Sequence, residues 1–283
     1  MKFILSTGSL YNYGLERCFE VASKIGFFGI ELIVDYRLDT RDADYLKKLI
    51  DRYSLPVLSI HSPFSHKIIG AKNIPDSIEK TVELAESIGA HIIVHHLPNK
   101  LNWIYFLLSS PWRRFNYSVP LPTFKLNSYF LWLQKEYEKF QENTSVLLCI
   151  ENLPATRFLG YCINPAYWNP SNLKNADEIL RFNNITMDTT HLGTWGLDPL
   201  EMYSRWKVKI RHIHLSNYKS NKMLEHQRPE DGDLQLDKFL IHLSMNKYEG
   251  LVTLEFKPDA LKKGYEQELL SNSLNYCLGC IKW

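Results

Sequence analysis

Apolar residues in this chain fall into two alternating patterns. Short runs rich in Ile, Val and Leu recur as FILSTGS (3–9), GIELIVDY (29–36), VLSIHSPF (57–64), HIIVHH (91–96), VLLCIENL (146–153), ITMDTT (185–190), IRHIHLSN (210–217) and LVTLEFKP (251–258). Runs this short and this apolar are expected of strands covered on both faces. Between them the apolar positions take helical spacing: Leu15–Ile25 closed by Gly26, Ala43–Tyr53, Ser77–Ile88 closed by Gly89, Ser128–Glu142, Ala176–Phe182, Pro199–Trp206, Leu236–Met245 and a last helix at the C-terminus. Strict alternation implies a parallel sheet joined by right-handed crossovers. Eight such units in about 250 residues match a (β/α)8 TIM barrel. The competing doubly wound sheet usually carries a Gly-rich turn after an early strand, and no GxGxxG is present. No linker divides the chain, so residues 1–283 are expected to form one domain.

Two connections are longer than a strand-to-helix link needs. Residues 97–127, after the fourth strand, hold Trp103, Tyr105, Phe106, Trp112, Arg113, Arg114, Phe115 and Tyr117; residues 152–175, after the fifth, hold Arg157, Tyr161, Tyr167 and Trp168. In a barrel both overhang the C-terminal face, where sites form. Their aromatics either pack on one another to hold the loops or form a lid that excludes water. Arg113 and Arg114 offer a phosphate contact, or are simply solvated.

Composition adds exclusions. A net charge of +2 gives no argument for nucleic acid or an anionic membrane. No apolar stretch reaches the roughly 20 residues that span a bilayer. The start, MKFILSTGSLYNYG, reads as a first buried strand rather than a secretory leader. Five cysteines at irregular spacing, Cys18, Cys149, Cys162, Cys277 and Cys280, do not describe a disulfide framework. The Cys277–Cys280 pair is expected to mark one face of the terminal helix, and the cytoplasm is the expected compartment.

The chemistry lies where the strands end. Apolar runs finish on His61, His96, Glu151, Asp188, His214 and Glu255, and His191 follows Asp188 by three residues in TMDTTHLGTWG. Any one of these alone reads as a satisfied buried polar group. Glu151, Asp188, His214 and Glu255 on four successive strands are better explained by a shared cation, because buried carboxylates need partners. Mixed oxygen and nitrogen donors suit Mn, Zn, Co or Mg, as one or two ions. His61 and His96 would complete a second metal position or touch substrate. In the His95–His96 doublet only one ring can face the axis. His212 shares a face with His214 but lies deeper, while His66, His91 and His242 read as structural or surface residues. His226, in the loop after the seventh strand, sits over the site or in solvent.

The motifs SIHSPF, GAHIIVHH, CIENLP, MDTTH, HIHLSNY, EHQRPEDGDL and VTLEFKP, in strand order over nearly the whole chain, resemble the xylose isomerase-like TIM-barrel superfamily of sugar isomerases, sugar epimerases and endonuclease IV. The resemblance implies that Glu151, Asp188, His214 and Glu255 hold a divalent metal, that His96 rather than His95 faces inward, and that His191 meets substrate or a further metal. The endonuclease branch uses three zinc ions; there His61 and His96 would join Glu151, and His191 and His226 would serve the third. That third site needs an aspartate two residues before the loop histidine, where this chain has Leu224.

The leading expectation is therefore a divalent-metal-dependent sugar or sugar-phosphate isomerase or epimerase working through an enediolate. Glu151 and Glu255 would move the proton, His191 would hydrogen-bond a substrate oxygen, and His226 and Lys257 would lie beside the substrate. Lys257 either stabilises negative charge or forms a structural ion pair. The alternative is an endonuclease IV-like zinc phosphodiesterase acting on abasic DNA. A third reading is a non-catalytic barrel that binds a ligand under its aromatic loops. The expected partner is a small-molecule sugar or sugar phosphate, nucleic acid is disfavoured, and a homo-oligomer is compatible with the sequence.

Overall fold

Alternation along each apolar run sends one set of side chains to the barrel axis and the other outward, and both sets are buried. In the computed structural model, which describes residues 1–63, 71–109, 114–122 and 128–281, these runs become β1 (Lys2–Ser6), β2 (Ile30–Ile33), β3 (Val57–His61), β4 (Ile92–His96), β5 (Leu147–Glu151), β6 (Ile185–Asp188), β7 (Ile210–Leu215) and β8 (Leu251–Leu254). They pair in parallel in sequence order and close between β1 and β8, a (β/α)8 barrel.

The helices α1 (Leu15–Ile25), α2 (Ala43–Tyr53), α3 (Ile74–Ile88), α4 (Ser128–Lys135), α5 (Tyr137–Glu142), α6 (Thr189–Thr194), α7 (Pro199–Trp206), α8 (Leu236–Met245) and α9 (Glu266–Cys280) follow. Their starts are chemically marked. Asp42, Asn73 and Asp198 cap α2, α3 and α7 by accepting backbone N–H groups. Gly26 and Gly89 end α1 and α3 with positive φ, a conformation glycine takes without a Cβ clash. Outward strand residues such as Leu5, Leu32, Ile60, Ile93, Ile150 and Ile213 join the helices in the main core. Each fully buried Leu or Ile contributes roughly 1.5–3 kcal/mol. Inside the barrel floor a small apolar cluster of Ile92, Val94 and Cys149 supports the layer above it.

The expected helix over 128–142 is broken into α4 and α5 at Glu136, and the 176–182 segment is a 3-10 helix over Ala176–Arg181. The described parts of the two long connections contain strands of their own. Leu101–Ser109 pairs antiparallel with Arg114–Pro122, and Thr156–Phe158 with Tyr161–Ile163. An isolated bridge between Asn99 and Ala166 ties one connection to the other. Arg113, the side chain of Arg114 and His66 lie outside the described residues. A third hairpin, Asn217–Lys219 with Leu224–Gln227, follows β7. No helix among the described residues is long and apolar enough to cross a membrane.

Candidate metal centre

Register brings the strand ends to one level. His96 pairs with Glu151 across β4–β5, and Asp188 with His214 across β6–β7. On β5 the period-two alternation sends Leu148 and Ile150 to the outer core and leaves Glu151 facing the axis. The ligand atoms of Glu151, Asp188, His214 and Glu255 all lie within 4.8 Å of one another. His214 Nδ1 stands 3.1 Å from Glu151 Oε1, 3.0 Å from Glu255 Oε2 and 3.9 Å from Asp188 Oδ2.

The charge balance of this group fits a divalent cation. Burial, followed by the neighbouring Glu151 and Glu255 carboxylates, pushes Asp188 well above the usual carboxylate range. Its Oδ2 is buried without a hydrogen-bond partner. Burial would also raise Glu151, but His214 and His96 outweigh it and hold the group well below its ordinary value. Glu255 is lowered in the same way, against burial, chiefly by His214. Burial would lower His214, yet Glu31, Glu255 and Glu151 raise it well above the ordinary histidine value. A proton on His214 thus partly balances the carboxylates, in the place a cation would take. Three hard oxygen donors and one imidazole suit Zn, Mn, Co or Mg.

Further histidines surround this group. His61 and His96 place Nε2 at 3.1 and 3.2 Å from Glu151 Oε2, a second set able to share an ion. His95 points the other way. It is buried against Tyr129, edge to face with ring centroids 4.8 Å apart, and its Nδ1 contacts Ser62 Oγ. His191 donates its backbone N–H to Asp188 Oδ1 at 2.6 Å and its ring Nδ1–H to the Asn152 carbonyl at 2.7 Å. Burial lowers His191 to about 3, so the ring is neutral and its Nε2 carries a lone pair.

His226 lies on the hairpin after β7, in a left-handed backbone conformation at φ 50°, with Ser216 Oγ 3.2 Å from its Nδ1. It forms a third group with Asp188 and His191. Leu224, on the same hairpin, is exposed. Lys257 pairs with Glu225 at 2.7 Å on the rim, so the structural ion pair is present.

Two residues here were not singled out in the sequence. Asn152 joins the ends of β5 and β6: its Oδ1 accepts the Asp188 N–H at 2.9 Å and its Nδ2 donates to the Asp188 carbonyl at 3.1 Å. Glu31, from the opposite wall, is fully buried beneath His214. Its carboxylate lies 3.2 Å from His214 Nε2 and accepts from Ser59 Oγ at 2.8 Å and Thr253 Oγ1 at 3.4 Å. His212 sits in this lower layer, 3.5 Å from Glu31. Above the metal group opens a cavity of about 580 Å³, lined by His61, His96, Glu151, His191, His226 and Glu255 with apolar walls including Leu97 and Leu153. That volume lies within the ordinary range for small-molecule sites.

A family model described as xylose isomerase-like TIM barrel matches residues 19–272. An uncharacterized protein of Mycobacterium leprae, ML2432, is 27% identical over 294 residues, covering 98% of this chain and 96% of the relative. Among solved structures, the apo 3-keto-D-glucoside 4-epimerase of E. coli superposes with TM-score 0.67 at 17% identity, over 99% of this chain and all of the other. The IOLI protein with a binding zinc atom superposes with TM-score 0.66 at 15% identity, over 99% and 98% of the two chains.

Proposed function

The chain belongs to the xylose isomerase-like TIM-barrel family, and from that membership we propose that it is a divalent-metal-dependent isomerase or epimerase of a sugar or sugar phosphate. The observation that carries the reading is the pairing of two carboxylates, Glu151 and Glu255, in one buried group that opens into a single cavity. Glu151, Asp188, His214 and Glu255 would hold the ion. When bound, such an ion polarises a carbonyl and its neighbouring hydroxyl and so acidifies the carbon-bound proton between them.

The protein's own groups then move that proton. Glu151 and Glu255 are held ionised by the surrounding histidines, so either can accept it. One removes the proton; the other, after taking a proton from solvent, delivers it to the opposite face of the enediolate and epimerises the carbon, whereas delivery to the adjacent carbon isomerises the sugar. His191 orients the substrate. Its Nδ1–H is committed to Asn152, so its Nε2 accepts a hydrogen bond from a sugar hydroxyl. Leu97, Leu153, Pro154 and Pro165 give the cavity its apolar walls. The relatives named above include a sugar epimerase and a zinc-bound protein, which agrees with this reading.

A second reading is favoured by the additional clusters His61–His96–Glu151 and Asp188–His191–His226, which would suit further zinc ions of a phosphodiesterase acting on abasic DNA. Incubation of the metal-loaded protein with ketoses, aldoses and their phosphates in D2O, followed by proton NMR, separates the two. Loss of a carbon-bound proton signal is expected for at least one sugar. No exchange with any sugar, together with nicking of an abasic duplex, would replace the first reading with the second.

A further inference from the structure

We propose that Glu31 is a positioning residue for the metal centre: its carboxylate takes the Nε2–H of His214 and so fixes the imidazole with its Nδ1 lone pair on the ion. The proposal rests on the metal-centre reading above. It starts from the proton count of one ring. A neutral imidazole has one N–H and one lone pair. Nδ1 of His214 faces the oxygens of Glu151, Asp188 and Glu255, where the ion would sit. The lone pair must therefore lie on Nδ1 and the hydrogen on Nε2, and Nε2 points at Glu31, 3.2 Å from Oε2.

The surroundings of Glu31 suit that task. The residue is fully buried, on a strand across the barrel from His214. Its Oε2 accepts from the hydroxyls of Ser59 at 2.8 Å and Thr253 at 3.4 Å, which anchors that oxygen beside His214. Pairing between β2 and β3 shifts register at Ile30–Glu31, which sets Glu31 beside Ser59. His212, the other ring near it, has its Nε2 bonded to Thr253 Oγ1 at 2.6 Å. Glu31, His212 and His214 also lie close enough to form a cation site of their own. That use would place ions on both nitrogens of His214 and require an imidazolate, whereas the hydrogen-bonded arrangement needs only a neutral ring. Carboxylates that orient a metal-bound histidine in this manner commonly change metal affinity by about 10–100-fold when replaced.

The test is titration of the metal-free full chain with Co²⁺ alone, reading stoichiometry and affinity by calorimetry and by the visible spectrum of the bound ion. Glu31→Gln keeps the volume and removes the charge. The expected result is the wild-type stoichiometry with an affinity roughly 10–100-fold weaker and a shifted spectrum. Ser59→Ala leaves the carboxylate in place but removes its closest donor, and should weaken binding several-fold, so the inference stays testable if Glu31→Gln folds poorly. Equal affinity in both variants, with only a lower melting temperature, would make Glu31 merely structural and overturn the inference. Loss of one bound ion in Glu31→Gln would make it a ligand and overturn it too. If wild-type protein binds no Co²⁺, the metal-centre reading itself fails, a result distinct from either of these.

Discussion

Replacing Asp188 by Asn should stabilise the metal-free protein while abolishing its response to metal. Asp188 is fully buried, its Oδ2 has no hydrogen-bond partner, and the carboxylates of Glu151 and Glu255 adjoin it. A buried polar group left unpaired costs about 1–3 kcal/mol. Asn keeps the shape, can still cap α6 through its Oδ1, and turns an N–H donor toward the acidic cluster. The unfolding entropy of a 283-residue chain is about 0.6 kcal/mol per kelvin, so relief of that cost corresponds to a rise of about 2–5 °C in the metal-free melting temperature. Added metal should favour the wild type over the variant. At about a hundredfold excess over Kd a bound ion contributes about 2.7 kcal/mol, or some 4–5 °C, to the wild type. Asp188→Asn has lost a ligand and should gain little. Differential scanning calorimetry after exhaustive chelation, repeated with added Mn²⁺ or Zn²⁺, reads both effects. A variant that melts well below the metal-free wild type, or that responds to metal as fully as the wild type does, would refute the reasoning.

Other consequences are as specific. Glu151→Gln should slow exchange of a substrate carbon-bound hydrogen with solvent by about 10²–10⁴-fold, the usual contribution of a general base; unchanged exchange by NMR would remove the two-glutamate scheme. Asp188 and His214 are both shifted toward their protonated forms, so cation uptake near neutral pH should release protons and tighten as pH rises. Calorimetric enthalpies that are indifferent to the buffer's ionisation enthalpy would contradict this. Burial lowers His95, His191 and His212, the last two to about 3. The unfolded chain therefore takes up protons first as pH falls through about 6.5. His61 and His214, being raised, add no slope below that value. The metal-free melting temperature should fall between about pH 6.5 and 4.5, and a flat or rising profile would show the histidines to be solvated.

Much of the site was legible because barrel strands put their chemistry where the apolar run stops. Glu151, Asp188, His214 and Glu255 stand at such ends and meet in one group. The alternation that left His95 and His96 open in the sequence is resolved by pairing: His96 lies opposite Glu151, and His95 turns into the layer beneath α4. Glu31 was missed because it is the third residue of GIELIVDY, inside the run rather than at its close. A charge embedded in apolar residues was the available signal. Asn152 gives no comparable signal, since its work is to bridge two backbones that only the closed barrel brings together. The hairpins in the long connections were illegible for another reason: their strands pair with each other rather than with the barrel, so the strand–helix alternation says nothing about them.

The interval between Asp188 and His191 acquires a stereochemical explanation from the start of α6. Asp188 is the residue just before the helix, and its Oδ1 accepts the N–H three positions on, the ordinary geometry of an N-terminal cap. His191 is that third residue, so the cap acts as a ruler that sets the imidazole at a fixed distance from the carboxylate before any ion or substrate arrives. One oxygen serves the helix and leaves the other for the site. A glutamate would carry the right charge but one methylene too many, and would misplace the helix start, the histidine and the ligand together. The choice of aspartate is thus determined twice, by backbone geometry and by chemistry.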